Sequence, residues 1–275
     1  MIARPGKAKA VLARELGVSL SSLYYEKKLP KKDHALKTRI EEALRYHPSY
    51  GHRRLALHLR VNKKRVRRVM RIFDLHPYRR RGRKPRKANA LSGVRYPNLI
   101  KEIVPSYEGH VWAADFTYLS CKGRFLYLAT VIDLYTRKVM GWSAMRNHGT
   151  PLVLQALFMA LSAHGRPAIF HSDNGREYGS RIFTRVLTET GVRISRTAPA
   201  SPWENGFQES FYAQFKIDLG DPNRFASLGE LVYEIATTIW AYNHTRIHLA
   251  LKMPPSVFAE RQRKLSYLHY EKRGT

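Results

Sequence analysis

Three carboxylates stand in settings where an acid can do more than carry a surface charge. Asp115 lies in W-A-A-D-F-T, Asp173 in H-S-D-N-G, and Glu209 in W-E-N-G-F-Q-E-S-F, with thirty-five residues between the last two. The pattern puts Asp115 on a strand, Asp173 at the end of a later strand, and Glu209 on a helix that follows. Magnesium is a hard ion that binds through oxygen and keeps several waters, so a few convergent carboxylates can hold it and leave room for a phosphate. Two such ions roughly 4 Å apart activate a nucleophile and stabilise the leaving oxygen of an in-line displacement at phosphorus. The expected chemistry is metal-assisted attack on a phosphodiester, with Asp115, Asp173 and Glu209 both catalytic and metal-binding. Any one of them alone would ordinarily be a solvated acid.

Neighbouring residues compete for roles. Glu204 is a rival carboxylate, but five residues before Glu209 is about 140° round a helix, which denies the two a shared face. Asp133, in V-I-D-L-Y-T-R, reads as a turn or structural acid. Lys216 lies two turns after Glu209 and can meet a phosphate beside the site; a solvated lysine is the alternative. Asn205 can orient a ligand or cap the helix, and His171 and Asn174 flank Asp173 within reach of metal-bound water or DNA. His244 and His248 have an i, i+4 spacing, but without a cysteine pair or nearby acid they do not read as a zinc site.

The charge points to the partner. Of 275 residues, 49 are Lys or Arg against 21 Asp or Glu, a formal net charge of +28. Residues 1–100 hold 28 basic and 6 acidic side chains, a net of +22, leaving +6 for the other 175. Such an excess repels itself and calls for a polyanion, with nucleic acid first. A membrane surface would need an apolar anchor, and no stretch of about 18 apolar residues exists. Cys121 is the single cysteine, so no intrachain disulfide can form. With no apolar leader, a cytoplasmic, nucleoid-associated protein is expected.

The elements that must position these groups fall into two regions. Residues 7–29 read as two short helices about Gly17, and Lys32 to Arg45 as a third. The segment Y-G-H-R-R-L-A-L-H-L-R-V-N-K-K-R-V-R-R-V-M reads as a helix-turn-helix, capped at Asn62, with its reading helix from Lys63 to about Phe73. Lys63, Lys64, Arg65, Arg67 and Arg68 put five cations in six residues there. A proline-broken basic stretch follows, with Arg79, Arg80, Arg81, Arg83 and Lys84 able to track a phosphate backbone. From His110 the pattern turns to strands: 111–120, 125–133, 139–144, 168–171 and 192–196. Helices are expected at 150–163, 181–190, 204–218 and 227–243. This order predicts an α/β core, a mixed five-stranded sheet flanked by helices as in ribonuclease-H-like folds, preceded by small all-helical helix-turn-helix regions. The expected divisions are 1–46, 47–75, a basic linker 76–105, a core 106–260 and a tail 261–275.

W-A-A-D-F-T-Y-L, H-S-D-N-G-R-E-Y and W-E-N-G-F-Q-E-S-F together resemble DDE transposases with a retroviral-integrase-type core, in particular the downstream-frame product of the insertion-sequence-three family. Y-G-H-R-R-L resembles that family's N-terminal helix-turn-helix. Y-N-H-T-R-I-H-L-A-L resembles its C-terminal motif, carried here by Tyr242, Asn243, Arg246, His248 and Leu251. The resemblance implies that Asp115, Asp173 and Glu209 are the triad, served by two Mg²⁺ ions for which Mn²⁺ can substitute. It also implies cleavage of DNA by water, then strand transfer by the freed 3′-hydroxyl, on synapsed transposon ends and target DNA in a homo-oligomer. An upstream-frame protein or fusion is a further partner it allows. The sequence departs from the pattern in having W-E-N for the commoner W-D-N, and in lacking a glycine before the reading helix. Two other functions fit the residues less fully: a catalytically silent DNA-binding regulator, and a ribonuclease-H-like nuclease without strand transfer.

Overall fold

The computed structural model describes residues 9–23, 28–78, 96–197 and 205–271. In chain order the first part is helical: α1 (Lys9–Glu15), α2 (Leu20–Leu23), α3 (Lys28–Tyr46), α4 (His52–Leu59) and α5 (Lys63–Ile72). The sheet region contains β1 (Val111–Cys121), β2 (Arg124–Asp133), β3 (Val139–Met145), α6 (Thr150–His164), β4 (Ile169–Ser172), α7 (Arg181–Glu189) and β5 (Arg193–Arg196). Helices α8 (Gly206–Leu219), α9 (Leu228–His244) and α10 (Pro255–Glu271) complete it.

The strand order is β3-β2-β1-β4-β5. Strands β1, β2 and β3 form an antiparallel meander, while β4 and β5 run parallel to β1. Parallel neighbours need a crossover, and α6 and α7 supply them. Alternation along β1 and β2 sends side chains to two faces. Trp112, Ala114 and Val131 pack with Leu157 of α6 and Phe183 of α7. Leu119, Cys121 and Leu128 pack on the other face with Phe211 and Phe215 of α8 and Ile235 and Ile239 of α9. Gly141 lets α6 lie against β3, because a Cβ there would meet the Ala156 carbonyl and Ala160.

The helical part has its own core of Leu36, Ile40, Tyr50, Leu55, Val66 and Val69, closed by Ile247 from beyond α9. Asn62 caps α5, its side chain accepting from the Lys64 N–H at 2.8 Å. The position where the family pattern has glycine is filled by Arg60 in the left-handed region, at φ 53°. An arginine bears that backbone at a modest cost because Arg60 closes α4 with its N–H.

Several boundaries differ from those read in the sequence. Helix α3 starts at Lys28, since Pro30 is tolerated in a first turn. Helix α6 starts at Thr150 as expected, with Gly149 at its cap position. Leu99, Ile100 and Ile103, inside the stretch read as linker, pack against Val111, Ala113, Leu134 and Ile169. Helix α10 crosses the expected boundary at 260 without a break. Among the described residues no helix is long and apolar enough to cross a membrane.

Candidate active site

Parallel pairing sets the first two acids side by side. Ala113 is level with His171, so Asp115 and Asp173, each two residues on, leave the same end of adjacent strands. Both carboxyl groups titrate above the usual range. Burial pushes Asp115 up to about 8, helped by the negative charge of Asp173 and, more weakly, of Glu209; its bond from the Phe116 N–H and Lys216 act the other way. Burial also raises Asp173, against the Gly175 N–H and Arg196. Glu209 is exposed in the first turn of α8. Two half-buried carboxylates set side by side do not both ionise comfortably without a cation.

Each acid is held by its surroundings. Asp173 Oδ1 accepts from the Gly175 N–H at 2.9 Å. A Cβ on Gly175 would stand 3.0 Å from that same oxygen, which explains the glycine in H-S-D-N-G. Arg196, 2% exposed, donates to Ser172 Oγ and to the Tyr178 carbonyl beneath the site. Its guanidinium is lowered to about 10, by burial first, with Asp173 opposing.

Helix α8 is bolted to the catalytic strand by side-chain amides and a phenol. Gln208, fully buried, donates to the Ala113 carbonyl at 2.6 Å and accepts from Thr130 Oγ1 at 3.1 Å. Tyr212 donates to the Asp115 carbonyl at 2.6 Å. Asn205 donates to the Ala114 carbonyl at 3.4 Å, and its side chain makes no cap. The backbone of β1 is thus gripped at the aspartate and at the two residues before it, from the helix that carries Glu209 and its cap. Lys216 Nζ donates to Thr117 Oγ1 at 2.6 Å, so this lysine leans back onto β1.

Other candidates have structural company. Asp133 is fully buried: Oδ1 accepts from Tyr135 N, Thr136 N and Thr136 Oγ1, and Oδ2 from Gly109 N at 2.7 Å. It organises the turn after β2. His171 points into the sheet, its Nδ1 2.9 Å from Ser195 Oγ, and Asn174 donates to the Thr197 carbonyl; both therefore bind protein where the sequence left open a contact with metal-bound water or DNA. Of the α5 cations, Lys63, Lys64 and Arg67 are exposed. Arg68 instead grips Asp33 of α3 with bonds of 2.6 and 2.8 Å, and Arg65 donates to the Lys32 carbonyl. Two of the five cations thus also fasten the reading helix to α3. Glu204, Arg79, Arg80, Arg81, Arg83 and Lys84 lie outside the described residues.

Residues 105–202 and 190–255 match two families described as integrase core domain. The transposase for insertion sequence element IS904 of Lactococcus lactis subsp. lactis (strain IL1403) is 31% identical over 195 residues, 70% of this chain and 77% of that protein. The chain belongs to the insertion-sequence transposases of the DDE type. A second transposase, for element IS629 of Shigella sonnei, is 30% identical over 78% of this chain and 75% of its own. The fold also resembles that of a chain in the structure of the simian T-cell lymphotropic virus intasome in complex with PP2A regulatory subunit B56 gamma, with a TM-score of 0.50, 18% identity, and coverage of 76% of this chain and 70% of that one. As a transposase of this type the enzyme is a polynucleotidyl transferase.

The residues that the sequence reading missed are Gln208, Tyr212, Thr130 and Arg196. A polar residue inside an otherwise apolar strand or helix face was the available signal, but its partner lies on a distant element.

Proposed function

We propose that Asp115, Asp173 and Glu209 form the active site of this transposase, and that they hold hard divalent ions, Mg²⁺ in the cell with Mn²⁺ able to substitute, two per site. The observation that carries this is the pairing of half-buried Asp115 and Asp173 at the same end of adjacent parallel strands, where their raised carboxyl groups mark a site short of positive charge. An all-oxygen donor set fits such ions. Among the described residues no three His, Cys, Asp or Glu side chains are grouped as around one ion, so the fit rests on charge and donor chemistry. Bound there, the ions would lower the pKa of water and neutralise the leaving oxygen at phosphorus. The chain's own part is positional. Tyr212, Gln208 and Asn205 fix the catalytic strand, Gly175 orients Asp173, and Lys216 keeps a positive charge beside the incoming phosphates.

Transposon-end and target DNA are held by Lys63, Lys64 and Arg67, together with Arg79, Arg80, Arg81, Arg83 and Lys84 of the basic stretch. The working form is a homo-oligomer on synapsed ends, with an upstream-frame protein or fusion as a further partner, in the cytoplasm at the nucleoid.

Glu209→Gln is expected to abolish both nicking and joining of an end-containing duplex while leaving the duplex bound; full activity would sink the assignment. Asp133→Asn is the control. It is expected to lower stability by about 1–3 kcal/mol through its broken turn, seen in thermal unfolding, with cleavage retained at a permissive temperature.

A further inference from the structure

The β1–β2 hairpin continues past the catalytic level, from the Asp115–Thr130 pair to Cys121–Arg124, while β4 stops at Ser172. On the face that α6 covers further down, this extension carries bare rings. Tyr118 and Phe125 are 52% and 51% exposed, with Tyr127 half-buried beside them. Tyr118 and Phe125 meet edge to face at 5.3 Å, and Tyr127 lies 5.0 Å from His148. Arg124 and Arg146, both exposed, join Phe125, Tyr127 and His148 around a depression of about 590 Å³. Tyr118 is three residues beyond Asp115, about 10 Å along the strand and by alternation on the other face of the sheet, with Lys216 Nζ, which bonds Thr117 Oγ1 between them, 5.4 Å from its ring centre.

We propose that this surface binds an unstacked, single-stranded stretch of the DNA being processed, with bases on Tyr118 and Phe125 and phosphates on Arg124 and Arg146. Exposed rings framed by cations are what a single strand needs, since every base offers a π-face and every linkage a charge. A duplex keeps its base faces inside the stack, so the rings would gain nothing from it. The charge also selects the occupant. A second copy of a +28 chain, or the chain's own basic arm, would bring like charge against Arg124 and Arg146, whereas a nucleic acid brings the complement. That the strand held there is the one being processed rests on the reading of Asp115, on the same β1 strand, as part of the cutting site.

The test is binding of the full chain, without divalent ions, to a fluorescent single-stranded oligonucleotide and to the same sequence as a duplex. Tyr118→Ala with Phe125→Ala is expected to weaken single-strand binding by about thirtyfold or more, with duplex binding kept within about twofold. Equal losses on both, or no loss on the single strand, overturn the proposal. So does a changed oligomeric state with unchanged affinities, which would assign the face to a second copy. If the double variant fails to fold by circular dichroism, photo-crosslinking of the wild type to a 5-iodouracil-bearing single strand decides. Crosslinks at Tyr118 or Phe125 support the surface, and crosslinks confined elsewhere refute it. None of these readouts needs catalysis, so a failure here is distinguishable from a failed triad, which the Glu209→Gln cleavage assay alone reports.

Discussion

Asp115 and Asp133 are acids of neighbouring strands, and their company separates them. Asp133 meets three donors from the turn it organises and a fourth from Gly109, whereas Asp115 faces a second acid. A satisfied acid builds the fold; a crowded one waits for a cation. His248 obeys the same rule with the sign reversed. Burial, then Arg137, Arg246 and Arg54, lower its imidazole to about 4, against about 6.5 in an unfolded chain. The folded protein therefore prefers neutral His248. The stability this gives is complete above about pH 6.5 and is lost as pH falls through about 4, on the order of 2–3 kcal/mol. Urea unfolding of wild type and His248→Asn between pH 7 and 4 should show the wild type losing more. Parallel losses would contradict the assignment.

At the scale of elements, the helical part is joined to the catalytic helix by a buried polar knot. Arg246, 4% exposed, donates to Asp218 Oδ2 at 2.7 Å and to Gln214 Oε1 at 2.7 Å, both on α8. The same guanidinium reaches Ser49 Oγ, which donates to Asp218 Oδ1. Tyr50 accepts the Ile247 N–H at 2.7 Å. The residues of the C-terminal motif hold these elements together. Tyr242 packs on Phe211, Asn243 pairs with both backbone groups of Val139, and Arg246 ties α8 to the chain leading into α4. Removing one partner of such a pair strands the other charge, so Arg246→Met is expected to cost about 3–5 kcal/mol. Adding Asp218→Leu should restore a large part of it. Thermal unfolding of both singles and the double variant measures this; additive losses would mean the pair is not coupled.

Over the whole molecule, charge and catalysis occupy different parts of the chain. The net of +22 falls in residues 1–100, before the sheet begins. Only cations free to face outward should release counterions on binding. Replacing Lys63, Lys64 and Arg67 together by Gln is expected to reduce the slope of log affinity against log salt by about 3. Replacing Arg65 and Arg68 should lower stability through Asp33 and Lys32 with a smaller change of slope. Fluorescence binding across a salt series separates the two, and equal slope changes would refute the division.

The sequence by itself determined the sheet's five strands and the helices α6 to α9, because strand alternation, helix caps and turn glycines are local signals; α10 it left unread. It also determined that the basic excess lies toward the N-terminus. What it left open needed distant partners: that Arg65 and Arg68 are occupied by α3, that His171 faces β5, and that Gln208 and Tyr212 clamp the strand of Asp115. The exposed rings of Tyr118 and Phe125 look in the sequence like ordinary strand core. Tertiary structure alone decided that α6 stops short of them, since burial depends on which element lies across a face and not on the residue that faces it.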